Sequence, residues 1–179
     1  MKNTLLVIII FALSTFLSNN VLAQTASLSD NIKHVEYNLP YPGILPDSPL
    51  YFLKVIRDNI LNLFISEPLK KADYNLLMAD KRLTSANALI DKKNYPLAIT
   101  TLSKAENYFD KAIQNAAKAR DEGKDANGVL NRLLLASEKH QEVIYQMVLK
   151  TKGDVRYTLE LQQVRAKSFQ DTVEVVKSN

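Results

Sequence analysis

The sequence predicts an all-α fold: an antiparallel helical bundle of four long helices plus a shorter N-terminal helix, preceded by an extended Pro/Tyr-rich segment. Three observations carry this. Apolar residues recur three and four apart over long stretches, the period of a helix with one buried face. Breakers are scarce beyond residue 50, where only Pro68, Pro96, Gly123, Gly128 and Gly153 remain. The other four of the six prolines cluster at Pro40, Pro42, Pro46 and Pro49, interleaved with Tyr37, Tyr41 and Tyr51.

The elements follow in chain order. Residues 37–50 form the proline-rich segment, stiffened because proline fixes φ and biases its predecessor toward extended backbone. Ser48 is a candidate cap for a first helix over about 49–65, with Pro49 in its first turn. Ser66 is a candidate cap for a second over about 67–93, where Glu67 suits the positive end and Lys92 and Lys93 the negative one. Its apolar seam is Leu69, Ala72, Leu76, Ala79, Leu83, Ala86 and Ile90.

Asn94 and Pro96 open a third helix, about 95–121, with the seam Ala98, Leu102, Ala105, Phe109, Ala112, Ala116 and Ala119; Gly123 ends it. Asp125 or Asn127 caps a fourth, about 126–150. Gly153 closes that one and Asp154 caps a fifth, about 155–177, whose seam of Val155, Leu159, Gln162, Ala166, Phe169, Val173 and Val176 has one polar break. Each seam must be covered by another helix, and short connections make sequence neighbours antiparallel. Seams of this spacing close within one chain or between chains, so the oligomeric state stays open.

The fourth helix differs, because Val129, Leu130, Leu133, Leu134 and Leu135, then Val143, Ile144, Met147 and Val148, cover more than one stripe. It is either a central helix, with the first helix and the proline segment lying against it, or it exposes a face for a partner. Leu134 and Ile144 are the candidates on such a face. Tyr37, Tyr41, Pro42 and Tyr51 are candidates on the proline segment, where an aromatic, extended surface suits recognition and equally suits stapling the segment to the bundle.

Residues 1–23 read as a secretory signal: Lys2, an apolar run from Leu5 to Leu17, and Val21-Leu22-Ala23 before the cleavage position. The alternative is a retained N-terminal membrane anchor, although the run is short of the roughly 20 residues a span requires. Residues 24–36 read as a polar, flexible spacer, and residues 37–179 as a single helical domain. The expected location is periplasmic or extracellular, with no integral span after cleavage.

A formal net charge of +4 is too mild to argue for nucleic acid, though weak association with anionic surfaces fits it. The absence of cysteine removes disulfides, thiolate metal sites and thiol nucleophiles. No cofactor or metal is expected. His140 has no carboxylate or histidine one turn away on its own helix and falls in phase with Leu133, Ala136, Val143 and Met147, as a buried or boundary residue does. A pH-sensing role is its most sensible functional form. Glu106 and Asp110, one turn apart, could pair as acid and base, but beside Lys104 and Lys111 they read as an exposed, solvated face. Asn94-Tyr95-Pro96-Leu97-Ala98 looks like a tetratricopeptide hairpin, yet no repeat of about 34 residues runs in register.

The residues Tyr37, Leu39, Pro40, Tyr41, Pro42, Gly43, Leu45, Pro46, Asp47, Ser48, Pro49, Leu50 and Tyr51, behind an exported leader and ahead of helices, resemble the opening motif of a bacterial family of unknown function. The resemblance covers Tyr37 to about Ala119. It implies an exported, all-helical domain and brings no activity, ligand or catalytic residue. The expected function is a non-catalytic interaction or scaffold module of the cell envelope with an envelope protein as partner. The alternatives are a periplasmic chaperone using an apolar helical face and, last, an enzyme.

Overall fold

Among the described residues five helices follow one another: α1 (Tyr51–Leu63), α2 (Pro68–Asp91), α3 (Tyr95–Asp121), α4 (Asn127–Leu149) and α5 (Gly153–Ser178). The computed structural model describes residues 34–178, and there is no strand among them. The expected signal segment, and the expected spacer up to residue 33, lie outside the described residues.

The long helices span 23 to 27 residues, about 35 to 40 Å at the helical rise. Two hairpins, α2–α3 and α4–α5, pack face to face so that α3 meets α5 and α2 meets α4, with the α3–α4 diagonal weaker. The alanine-rich seam of α3 explains the close fit: Ala98, Leu102, Ala105, Phe109, Ala112, Ala116 and Ala119 are all essentially solvent-free. Small side chains let backbones approach, and burying such a seam is what holds a bundle together.

Helix ends depart from the expected caps. Ser48 and Pro49 form a turn in which Tyr51 N donates to Ser48 O at 3.0 Å, so α1 begins at Tyr51. The cap of α2 is Glu67, not Ser66, with Pro68 at the first helical position. Ahead of α4, Asp125 Oδ1 accepts from Asn127 N at 3.0 Å, two residues before the helix, whose cap position is Ala126. Gly153 opens α5 rather than only closing α4.

Two C-termini share one closure. Lys124 N reaches Ala119 O, and Asn94 N reaches Leu89 O, both at 2.9 Å. That pattern forces the intervening residue into the left-handed region. Gly123 (φ +75°) meets the demand freely, whereas Lys93 (φ +61°) carries a Cβ into it.

α4 is covered over most of its wide apolar arc, with Leu130, Leu133, Ile144 and Met147 enclosed. What covers it differs from expectation. The chain is tied to α4 just ahead of the proline segment, where Val35 N donates to Glu142 Oε2 at 2.9 Å. The last residues of the expected spacer are therefore tied down, with Val35 buried. α1 lies instead beside α2: Tyr74 Oη donates to Asp58 O at 2.6 Å and Arg82 to Tyr51 Oη at 2.5 Å. The reason is on α1 itself, since the face it turns to the bundle is polar.

Candidate functional site

The α1 sequence YFLKVIRDNILNL is amphipathic, with Phe52, Leu53, Ile56, Ile60 and Leu63, then Phe64 just beyond it, inside an arc of about 120° at 100° per residue. A helix of this kind ordinarily turns that arc inward. Here Asp58 is the buried residue of α1. Phe52, Leu53, Ile56 and Ile60 stay more than half exposed, and Leu63 and Phe64 are 82% and 79% exposed. Tyr41, Ile44 and Leu50 extend the patch along the chain that leads into α1.

Cationic furrows border this ridge on both sides. One is lined by Tyr41, Pro42, Gly43, Ile44, Leu53, Lys54, Arg57 and Lys81. In it Lys54 Nζ donates to the Pro42 carbonyl at 2.6 Å and the Ile44 carbonyl at 3.2 Å, and its burial pulls the ammonium below its ordinary pKa. The other is lined by Tyr51, Val55, Asn59, Arg82, Lys104, Asn107, Tyr108 and Lys111.

A second constellation is enclosed in the core. His140 Nε2 stands 3.1 Å from Asp80 Oδ1 and Nδ1 stands 3.2 Å from Glu106 Oε1. Tyr37 Oη donates to Asp80 Oδ2 at 2.7 Å, extending the chain to the proline segment. Asp80 and Glu106 each follow a seam alanine, so both fall at the depth of His140. They divide the core: Ala79, Phe109 and Ala136 belong to the apolar cluster on one side, Leu83, Ala105 and Val143 to the other. Phe109 meets the imidazole edge-on with ring centres 4.8 Å apart.

Burial alone would lower the His140 pKa. Hydrogen bonds to Asp80 and Glu106, and their negative charges, outweigh it and raise the pKa to about 9. The ring is therefore an imidazolium at neutral pH, donating from both nitrogens. Tyr37 is pushed well above the usual phenol range, chiefly by burial and then by the Asp80 carboxylate. The two acids address opposite edges of the ring and do not converge on a point, and among the described residues no group of three His, Asp or Glu is placed to hold a metal ion.

The sequence-expected residues are scattered. Tyr37 is half-buried and anchors the segment, Tyr41 is 83% exposed, and Pro42 and Tyr51 line the two furrows. Ile144 is fully buried, whereas Leu134 is partly buried against a core cluster, so of the two positions anticipated on an α4 face only Ile144 is interior. Glu106 and Asp110 do not face each other. Glu106 is in the core, and Asp110 accepts from Gln114 at the surface, at 2.9 Å. The α1 ridge was written in the sequence as Phe52, Ile56, Ile60 and Phe64, four apart. That spacing does not say which way the stripe turns.

Among the described residues no helix is long and apolar enough to cross a membrane. No curated protein matches the chain, and no solved structure does. A family model described as a domain of unknown function, DUF5667, matches residues 43–168. The match begins at Gly43 inside the proline segment, leaves Tyr37 to Pro42 ahead of it, and runs well past Ala119 into α5. With most of its 179 residues inside that match, the chain belongs to the DUF5667 family.

Proposed function

We propose that this protein is a non-catalytic interaction module of the bacterial cell envelope, exported by its N-terminal segment, that rests on an anionic membrane surface through α1. The observation that carries the reading is the ridge of Phe52, Leu53, Ile56, Ile60, Leu63 and Phe64 between two cationic furrows. An amphipathic helix with aliphatic and phenyl side chains on one face and cations beside them suits the boundary between headgroups and acyl chains. Burying the exposed half of six such side chains offers roughly 1 kcal/mol each before the cost of association. The non-catalytic part is supported by the enclosure of His140, Asp80 and Glu106, which line neither furrow.

Co-sedimentation with vesicles tests it. The full exported chain should bind phosphatidylglycerol vesicles and largely ignore phosphatidylcholine ones, and Ile56→Asp with Ile60→Asp should abolish binding while the melting curve is kept. Equal binding by that variant, or no binding by the wild type, would overturn the reading. Suppression of client aggregation through the same ridge, without vesicle binding, would replace it with the chaperone alternative.

A further inference from the structure

The furrow between α1 and the α2–α3 hairpin holds an unusual charge. Arg82 is largely buried, and its Nε is enclosed without any hydrogen-bond partner. A buried guanidinium is ordinarily matched by a carboxylate, because taking an unpaired charge out of water is costly. Here its neighbours are neutral: Tyr51 Oη accepts from Nη1 at 2.5 Å, and the Tyr108 ring lies 4.9 Å beneath Cζ. Two further cations line the same furrow. Lys111 Nζ stands 5.6 Å from the Tyr108 ring centre, and Lys104 sits two turns earlier on α3. Neither Lys104 nor Lys111 forms an ion pair among the described residues. No acidic side chain lines the furrow, while Asn59 and Asn107 supply amide donors.

Three cations without an anion, two tyrosines and two amides in about 280 Å³ make a receptor that lacks its guest. We propose that this furrow binds a phosphate group, with Arg82 as its planar fork and Lys104 and Lys111 as point charges. A dianionic phosphate balances this set better than a single carboxylate does, and guanidinium geometry matches two of its oxygens at once. The group comes either from a small phosphorylated solute or from a lipid headgroup. The furrow takes it independently of whether α1 meets a bilayer, so the two proposals stand or fall apart.

The test is a titration of the full exported chain, following the Tyr51 and Tyr108 ring resonances by NMR. One arm uses inorganic phosphate, a second glycerol 3-phosphate, and a third short-chain phosphatidylglycerol below its micelle concentration. Lys104→Gln with Lys111→Gln removes exposed charges and keeps the fold; Lys167→Gln, an exposed lysine on α5 away from the furrow, is the control. Saturable shifts in a soluble-phosphate arm, weakened tenfold or more by the double variant and under twofold by the control, are expected for a solute site. Shifts confined to the phosphatidylglycerol arm with the same variant pattern assign the headgroup. Absence of shifts in all three arms, or equal weakening by Lys167→Gln, would overturn the proposal. Arg82→Lys should weaken binding at least fivefold despite keeping the charge; unchanged affinity would remove the fork from the site.

Discussion

Raising the pH from 6 to 9.5 should destabilise this bundle in a way that depends on one ring. His140 has a pKa of about 9 in the fold against 6.5 in the unfolded chain. Its bonds to Asp80 and Glu106 thus stabilise the fold fully below pH 6.5, and that stability is lost as the pH climbs through 9. In the window between, the folded chain holds one proton that the unfolded chain has released, so stability falls by about 1.4 kcal/mol per pH unit. The whole excursion is about 3 kcal/mol, a large share of what a domain of this size has to lose. The other groups of the enclosed chain are Asp80, Glu106 and Tyr37, and the raised phenol stays protonated throughout. Urea unfolding followed by circular dichroism at pH 6, 7, 8, 9 and 9.5 reads the slope directly. His140→Gln keeps much of the volume and loses the charge. It should cost about 3 kcal/mol at pH 6, because two buried carboxylates lose their shared counter-ion, and its profile should be flat over the same window. A wild-type profile that is flat or rising between pH 6.5 and 9, or a variant that keeps the slope, would refute the reasoning.

Other substitutions probe the remaining parts. Tyr37→Phe removes the donor to Asp80 and should destabilise by about 2 kcal/mol in urea, the usual loss for a hydrogen bond to a charged group. Lys93→Gly relieves a left-handed side-chain residue and should raise stability by about 0.5 to 1 kcal/mol, read as a higher melting temperature. Phe109→Ala leaves a hole where its ring meets both His140 and Phe169, and should cost about 3 to 5 kcal/mol.

What was legible in the sequence was the set of periodicities, and what was not was their partners. The α3 seam could be read residue by residue, because nothing but burial explains seven apolar positions in phase. His140 could be read as buried or boundary for the same reason. Its counter-charges could not, since Asp80 lies 60 residues away and Glu106 34 away, and only the antiparallel register brings them level. Their one signal was position: each acid directly follows a seam alanine, at the edge of the buried stripe. Glu106 was grouped with Asp110 as a surface pair because sequence shows spacing and not rotation. α1 fails differently. Its stripe was visible, and a stripe is ordinarily buried, but α1 turns Asp58 inward and is held by tyrosine contacts from Tyr51 and Tyr74. Hydrogen bonds from α2, 16 and 31 residues away in sequence, hold that orientation, which apolar spacing does not encode. The α4 arc shows the converse, being wide because two neighbours cover it.

The chain contains no cysteine, so a thiol placed at will is unique and can carry a polarity-sensitive dye. The most direct measurement compares a label at Ile60→Cys on the ridge with one at Tyr157→Cys, a somewhat more exposed site on α5. On adding phosphatidylglycerol vesicles, emission from position 60 should shift to the blue and emission from position 157 should stay where it is. An unmoved spectrum at 60, or the same shift at both, would contradict a bundle that meets the membrane through α1.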